Sequence, residues 1–223
     1  INKAPDQFKD AKYSAERERS VGLGVMGFHS FLQKKRIPLE SVMAKSWNKK
    51  IFKNIHEKVN QASKDLAEER GACPDAAEYG FKERFSNKTA IAPTASISII
   101  CGGASPGVEP IAANSYTHKT LSGSFNVRNR YLEEILESHG KNDDETWSTI
   151  TTNQGSVSHL DFLTDLEKDV FKTAFELNQK WIIELSGDRT PFISQAQSVN
   201  LFYQQTFTKK NYIEFILMHG KKV

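Results

Sequence analysis

One apolar stripe between residues 40 and 70 constrains the fold more than any other feature of this sequence. Its members recur at spacings of four, four, four, three and four, which is the period of one face of an α-helix. They are Trp47, Ile51, Ile55, Val59, Ala62 and Leu66. The stripe predicts a long amphipathic helix from Glu40 to Arg70 that ends at Gly71. We interpret its apolar face as part of a protein core rather than as a contact for a cofactor.

Two further helices are expected toward the C-terminus. The first begins with a capping box, in which Thr164 is the N-cap residue and Glu167 reaches back to it. Its predicted buried face consists of Leu166, Val170, Ala174, Leu177, Trp181 and Leu185. We expect this helix to end at Gly187. The second helix is predicted over Lys209–His219, where apolar residues again recur at helical spacing.

Short strand candidates lie between these helices. Lys88–Ala92 (KTAIA) and Ala196–Tyr203 (AQSVNLFY) are apolar, partly β-branched segments bounded by polar residues. Helices that alternate with short buried strands favour an α/β fold with a largely parallel sheet. Gly102–Gly107 (GGASPG) is a turn cluster and not a linker, so residues 1–223 are interpreted as a single domain.

Composition excludes several classes of protein. The chain has 223 residues, of which 38% are hydrophobic and 26% charged, as is typical of a globular protein. The formal charge of +3 is too small and too scattered to argue for a nucleic-acid partner. No apolar run approaches the roughly 20 residues that span a bilayer, and no signal peptide opens the chain. We therefore expect a cytoplasmic protein without a membrane partner.

The residues that could bind metal or act as nucleophiles are scattered. Cys73 and Cys101 form neither a metal pattern nor a disulfide framework, and each is interpreted as a buried or half-buried thiol. His118 and His159 have no cysteine or carboxylate at ligand spacing, so each is expected to be structural or on the surface. The acidic cluster 143–145 is most simply the start of a helix. The residues themselves therefore predict no catalytic residue and no metal site.

The stretch GLGVMG, Gly22–Gly27, fits the dinucleotide-binding pattern G-x-G-x-x-G. That fingerprint requires a buried strand before the first glycine and an acidic residue at the end of a second strand. Here the preceding residues AERERS are charged, and Glu40 lies in a loop that enters a helix. We therefore interpret the glycines as part of a helix, Gly22–Gln33, whose small residues permit close packing.

The segment APTASISIICGGASPGVEP, residues 92–110, carries more information about function. A predicted strand ends at Pro93, and Thr94, Ala95 and Ser96 follow as small residues with two hydroxyl groups. A strand, a small polar turn and a helix start together present free backbone N–H groups, which suit a phosphate. The alternative is an ordinary Ser/Thr helix cap, which composition alone favours.

Several segments resemble the large, catalytic subunit of ribonucleotide reductase, in the order in which that family carries them. APTASISIICGGASPGVEP resembles the family's phosphate-binding loop, its Gly/Asn-rich turn and its Ile/Val-Glu-Pro sequence. PFISQAQSVNLFY is similar to a late barrel strand, and SVGLGVMGFHSFL to a family helix that binds no dinucleotide. THKTLSGSFNVRNRYLEEIL and DRTPFISQAQSVNLF resemble the iron-dependent class I branch. The resemblance extends from about Arg17 to Val223.

The resemblance implies an enzyme that reduces ribonucleoside diphosphates to deoxyribonucleotides by radical chemistry, for DNA precursor synthesis. The implied fold is a ten-stranded α/β barrel of two five-strand halves, of which this chain would be the C-terminal part. Pro93, Thr94, Ala95, Ser96 and Ile97 would hold the substrate diphosphate. The implied partners are a small subunit with a di-iron tyrosyl radical, a thioredoxin-type reductant and a second large subunit in a homodimer. The family is also ATP-binding and allosteric.

Other parts of the family pattern are missing from this sequence. The Asn-x-Cys-x-Glu loop of the thiyl-radical cysteine does not occur, and neither Cys73 nor Cys101 stands in the context of the redox pair. The tandem tyrosines that relay the radical would follow Val223, and the N-terminal allosteric sites are absent. Because the sequence begins with Ile1 and closes without a tail, we interpret both ends as truncated. The chain alone is expected to be inactive and to hold no cofactor.

Three alternatives remain open on sequence grounds. A cobalamin-dependent class II reductase shares the phosphate loop and the barrel. A split-gene or accessory chain would only associate with a separate catalytic polypeptide. A nicotinamide dehydrogenase built on GLGVMG is disfavoured, because the strand that it requires is missing.

Overall fold

The computed structural model describes residues 3–120 and 123–203 of the chain and is rich in helix. The helices that it describes are α1 (Lys9–Glu18), α2 (Phe28–Lys34), α3 (Val42–Arg70), α4 (Pro74–Glu78), α5 (Ala95–Ile100), α6 (Arg130–Ser138), α7 (Asp144–Thr152), α8 (Asp165–Val170) and α9 (Gln179–Arg189). Short 3-10 helices span Asp6–Phe8 and Thr190–Phe192. An antiparallel hairpin is formed by β1 (Ser115–Thr120) and β2 (Gly123–Arg128). The helix predicted over Lys209–His219 lies outside the described residues.

Helix α3 confirms the long helix that the apolar stripe predicts, but its buried face is rotated. Four buried positions each follow a member of the stripe by one residue, and they are Asn48, Phe52, Ser63 and Ala67. One residue corresponds to a rotation of about 100° around the helix axis. Two of these buried residues are polar and hydrogen-bonded: Asn48 Oδ1 accepts from Arg189, and Ser63 Oγ accepts from the backbone N–H of Arg84. A purely apolar pattern therefore selects the neighbouring, half-buried face.

The helix predicted over Gly22–Gln33 is wrong at its N-terminal end, because α2 begins only at Phe28. The first two glycines of GLGVMG lie on an extended segment. A Cβ atom added to Gly24 would lie 2.7 Å from the carbonyl oxygen of Ala90, which is closer than side chains approach backbone. The expected close packing thus exists, but between two extended segments rather than along a helix.

The helix predicted from Thr164 onward is interrupted. Its capping box is confirmed, with Thr164 and Glu167 each bonded to the other's backbone N–H. Helix α8 then ends at Val170, α9 begins at Gln179, and Gly187 lies inside α9 instead of ending it. Leu166, expected to be buried, is 57% exposed.

Remote groups cause this interruption by binding the backbone between α8 and α9. The side-chain N–H₂ of Asn114 donates to the carbonyl of Phe171, at 2.7 Å. The N–H of Ala174 donates to the carbonyl of Ile111, at 2.8 Å. These backbone groups are consequently not available for the hydrogen bonds of a continuous helix.

Among the described residues, the predicted parallel pairing occurs only at isolated bridges, and the strands predicted over Lys88–Ala92 and Ala196–Tyr203 are not regular strands. Residues 21–24, 87–92 and 194–198 run side by side, with parallel bridges at Leu23–Thr89 and Ile91–Gln197. Ile91 donates its N–H to residue 196 and accepts from residue 198, both at 2.9 Å, which is the pattern of a parallel pair. In contrast to these parallel bridges, the regular sheet in the described part of the chain is the antiparallel hairpin of β1 and β2. An α/β class fits these elements.

The chain divides into two compact units by its contacts. Of the described residues, the first comprises 3–24, 48–92 and 188–198, and contains the three parallel segments. The second comprises 25–47, 93–120, 123–187 and 199–203. An apolar core cluster in this unit includes the buried residues Leu132, Leu136, Trp147, Ile150, Leu163 and Phe171. The interpretation of residues 1–223 as a single domain stays a prediction. Among the helices described, none has the length and apolar character needed to cross a bilayer.

Candidate functional site

The predicted phosphate turn, residues 93–97, leads into helix α5 in the second unit. Thr94 has φ 52° and ψ 29°, which is the left-handed region of backbone conformation. A β-branched residue rarely adopts this conformation, which costs on the order of 1–3 kcal/mol and persists only where surrounding contacts hold it. The conformation of Thr94 indicates that the turn is fixed by its neighbours.

The hydroxyl group of Thr94 is one of these fixing contacts. It accepts a hydrogen bond from the N–H of Gly107 at 2.7 Å. Thr94 occupies the N-cap position of α5, yet its side chain makes no capping hydrogen bond to that helix. The N-cap residue of α5 is therefore not the ordinary Ser/Thr helix cap that composition favours. Since a hydroxyl that accepts one hydrogen bond retains its own hydrogen, Thr94 can still donate to a ligand.

The rest of the turn faces solvent. Pro93, Ala95 and Ser96 are exposed, and Ile97 is 56% exposed. Within the described part of the chain, the hydroxyl of Ser96 has no hydrogen-bond partner. The first N–H groups of a helix have no acceptor in that helix. The turn consequently presents a hydroxyl and backbone donors on an accessible surface.

A cavity of about 380 Å³ lies against a different face of α5. Ala95, Ser98 and Ile99 line it, and three- and four-residue spacing places them on one side of the helix. Thr94 and Ser96 are not among its lining residues. The cavity thus borders the phosphate turn at Ala95 without including the hydroxyl groups of Thr94 and Ser96.

The turn after α5 is bound to the start of α2 by a reciprocal pair of serines. The N–H of Ser30 donates to Ser105 Oγ at 3.1 Å, and the N–H of Ser105 donates to Ser30 Oγ at 2.8 Å. Both side chains are buried, Ser105 completely. The N–H of Gly27 also donates to the carbonyl of Ser105 at 2.9 Å. Ser105 therefore serves as a non-local cap for α2, whose own N-cap residue is a glycine.

Two more buried polar groups hold the same turn farther along the chain. His29 Nδ1 accepts from the N–H of Ile111 at 3.1 Å. Burial lowers the pKa of His29 to about 4, so the ring is neutral near pH 7 and its Nδ1 can remain an acceptor. The carboxylate of Glu109 accepts from both the backbone N–H and the side chain of Asn200, at 3.2 and 2.8 Å. Residues 105–111 are thus hydrogen-bonded both to α2 and to Asn200.

These contacts explain why GLGVMG does not act as a dinucleotide fingerprint. A pyrophosphate bound to that motif would need the free N–H groups at the start of α2. The N–H groups of Gly27, Phe28 and Ser30 already donate to the turn around Ser105 and Gly107. The helix start is therefore occupied by the protein itself.

The other residues singled out in the sequence show no shared site. Cys73 is buried, as expected, but Cys101 is exposed at the end of α5, so that prediction is wrong. His159 is half-buried and bonded to Thr149, and His118 lies in β1. Asp143 caps α7, where the bond from the N–H of Thr146 holds the pKa of this carboxyl below its usual value. No group of three or more potential metal ligands occurs among the described residues.

Sequence patterns do not identify the residues that support the phosphate turn. Ser30, Ser105 and His29 carry no motif of their own, and the serine pair spans 75 positions. The available signal is weak: a helix start with a glycine N-cap and no capping side chain needs an acceptor from elsewhere. Such a need does not identify which distant residue supplies it.

Known proteins share the sequence and the fold of this chain. The profile of the family described as "Ribonucleotide reductase, barrel domain" matches residues 1–83 and 75–221. The large subunit of ribonucleoside-diphosphate reductase from Invertebrate iridescent virus 6 is 47% identical over 214 residues, covering 94% of this chain and 22% of that protein. The large subunit from Caenorhabditis elegans is 30% identical over 243 residues, covering 95% of this chain and 30% of that protein.

A solved structure shows the same relationship. The Actinobacillus ureae class Id ribonucleotide reductase alpha subunit has a TM-score of 0.90 and 36% sequence identity, covering 98% of this chain and 40% of that chain. The chain thus spans between about a fifth and two fifths of the proteins that it matches. The chain belongs to the ribonucleotide reductase barrel domain family.

Proposed function

We propose that this chain is the C-terminal part of the barrel of a class I ribonucleoside-diphosphate reductase, and that its phosphate turn holds the substrate. The reaction is the reduction of ribonucleoside diphosphates to deoxyribonucleoside diphosphates by radical chemistry. The single observation that carries the assignment of the turn is the left-handed Thr94, fixed by Gly107, beside the exposed Ser96 hydroxyl. The family match supports the reaction.

The proposed role of residues 93–97 is electrostatic and positional. The hydroxyl groups of Thr94 and Ser96 and the nearby backbone N–H groups donate hydrogen bonds to the diphosphate. Bonds from several donors to an anion are short and strong, because the acceptor is charged. Fixing the diphosphate fixes the ribose attached to it, so that its 3′ hydrogen faces the radical. The turn itself performs no bond breaking.

The remaining parts of the proposed enzyme lie outside this chain. The other part of the ten-stranded barrel, the radical cysteine and the ATP-binding allosteric sites belong to the rest of the large subunit, which we propose forms a homodimer. A small subunit with a di-iron tyrosyl radical supplies the radical, and a thioredoxin-type protein supplies electrons. We propose a cytoplasmic enzyme. The curated relatives are named large subunits, which favours class I over a cobalamin-dependent enzyme.

Activity of the complete enzyme tests the reaction and the class. Deoxyribonucleoside diphosphate should form when the complete large subunit is mixed with its small subunit, and adenosylcobalamin should not replace that subunit. The 223-residue chain alone should form no product. Turnover that depends on adenosylcobalamin would contradict class I, and turnover by the isolated chain would contradict the division of roles.

Two substitutions at Ser96 test the turn. In the complete enzyme, Ser96→Ala removes one hydroxyl donor, whereas Ser96→Pro removes both the hydroxyl and the backbone N–H. Because a hydrogen bond to a charged group contributes about 1.5–3 kcal/mol, we expect the KM for the diphosphate to rise about tenfold or more in Ser96→Ala and further in Ser96→Pro. Ser148→Ala, an exposed change on α7, is the control. An unchanged KM in both Ser96 variants would refute the assignment.

A further inference from the structure

We propose that Ser105 and Ser30 are positioning residues for the phosphate turn: their reciprocal hydrogen bonds set the affinity of the complete enzyme for a diphosphate that neither residue touches. This inference rests on the proposed function. Its physical basis is a chain of contacts within the second unit, from the start of α2 through the turn 105–107 to Thr94.

The first part of the chain of contacts is the serine pair. Each serine uses its side-chain oxygen to accept the other's backbone N–H, at 3.1 and 2.8 Å, so the two backbones are held at a fixed separation. Ser105 is fully buried and Ser30 is 8% exposed, so water does not replace either bond. A buried N–H without a partner is costly, which gives the pair one favoured geometry.

The second part connects the pair to the substrate turn. Two residues after Ser105, the N–H of Gly107 donates to the Thr94 hydroxyl at 2.7 Å, and the carbonyl of Gly107 accepts from Phe28 at 3.4 Å. Gly107 is buried, so its position follows that of Ser105 and of α2. This bond also fixes the direction of the Thr94 hydroxyl. Because the bond from Gly107 uses only one lone pair of the hydroxyl oxygen, the hydroxyl hydrogen remains available to donate to a ligand.

The strained backbone of Thr94 makes this support necessary. A left-handed threonine relaxes to a common conformation unless neighbouring contacts oppose the change. On the same reasoning, weakening the serine pair lets Gly107 move, Thr94 relaxes, and the donors of residues 93–97 lose their alignment. Misplacing a binding group by about 1 Å is enough to reduce binding severalfold or more.

The experiment compares Ser105→Ala, Ser30→Ala and a matched control in the complete enzyme. Each serine variant removes one acceptor and leaves its partner's N–H unpaired. We expect the KM for the ribonucleoside diphosphate to rise about tenfold, and the inhibition constant of inorganic pyrophosphate to rise in parallel. The control is Ser41→Ala, which removes the hydroxyl that accepts from the N–H of Ala44 at the start of α3. It should lower the melting temperature similarly without changing either constant.

The outcomes separate this inference from the proposed function. If Ser96→Pro raises the KM while Ser105→Ala and Ser30→Ala resemble Ser41→Ala, the serine pair is merely structural and the inference is wrong. If Ser96→Pro leaves both constants unchanged, the phosphate turn is wrongly placed and the inference falls with it. If Ser105→Ala does not fold, Ser30→Ala decides alone, because it leaves the fully buried Ser105 in place.

Discussion

Replacing Gly24 by alanine should destabilise the protein through one identifiable contact. The new Cβ would lie 2.7 Å from the carbonyl oxygen of Ala90, whereas carbon and oxygen in close contact are about 3.3 Å apart or more. Relieving the overlap requires a separation of roughly 0.6 Å between the two extended segments. The matched control is Gly22→Ala, whose Cβ would meet Ala90 Cβ at 3.4 Å, an ordinary contact.

The cost follows from the two hydrogen bonds that flank the contact. Leu23 donates to the carbonyl of Lys88 at 3.0 Å and accepts from the N–H of Ala90 at 3.1 Å. A separation of roughly 0.6 Å stretches both to about 3.6 Å or beyond, where they no longer count as hydrogen bonds. Two lost bonds cost about 1–3 kcal/mol and the displacement of the packed backbone about 1–3 kcal/mol, against a gain of about 0.4–1 kcal/mol from the stiffer unfolded chain. The net expected loss is about 2–4 kcal/mol.

Thermal unfolding measures this loss. With about 2–4 °C for each kcal/mol in a domain of this size, Gly24→Ala should melt roughly 4–16 °C below the parent. Gly22→Ala should melt within about 2 °C of it. Equal melting temperatures for the two variants would refute the close approach at Gly24. The same result would leave the first two glycines of the motif without a packing role.

The remaining predictions concern buried polar groups. Burial lowers the pKa of His29 to about 4 from the usual 6.5, so the unfolded chain binds more protons between these values and stability falls as the pH drops from about 6.5 to 4. The expected loss in the free energy of unfolding is about 3 kcal/mol. His29→Asn keeps a hydrogen-bond acceptor but does not titrate, so its free energy of unfolding, measured between about pH 6.5 and 4, should not show this loss. Arg189→Ala should lower the free energy of unfolding by about 3–5 kcal/mol, because it removes buried hydrogen bonds to Asn48 and Gln197. The control is Arg70→Ala at an exposed position, which should change stability by less than about 0.5 kcal/mol. Similar melting temperatures for the two arginine variants would contradict the buried role of Arg189.

Local patterns predicted the elements that depend on neighbouring residues. The helical period predicted α3, and the capping box predicted the start of α8. Each of these signals consists of residues that are only a few positions apart in the sequence. The acidic cluster at Asp143 predicted the start of α7 for the same reason. The two strand candidates meet at the isolated parallel bridge Ile91–Gln197, although neither forms a regular strand in the described residues.

Features that depend on distant partners were not accessible in the same way. The buried face of α3 includes Asn48, whose side-chain oxygen accepts from Arg189, 141 positions away. The interruption between α8 and α9 depends on Asn114, which binds the carbonyl of Phe171. Apolar periodicity continues through both places, so hydrophobicity alone misplaces the face and extends the helix. Only the fold brings these polar partners together.

The candidate site also combines residues that local sequence indicates with residues that only the fold brings together. Residues 93–97 were singled out by their small polar character and by family resemblance, but composition alone favoured an ordinary Ser/Thr helix cap. The structure replaces that interpretation with a bond between Thr94 and Gly107. The support from Ser30 and Ser105 has no local signal, since neither serine belongs to a sequence motif.

A structure of the complete enzyme with a bound ribonucleoside diphosphate tests the role of the phosphate turn most directly. We expect phosphate oxygens within about 3 Å of the Ser96 hydroxyl and of the Thr94 hydroxyl, with the bond from Gly107 to Thr94 retained. We also expect no phosphate at the start of α2, where Ser105 occupies the donors. Diphosphate density bound elsewhere in the enzyme, with residues 93–97 still facing solvent, would contradict this role.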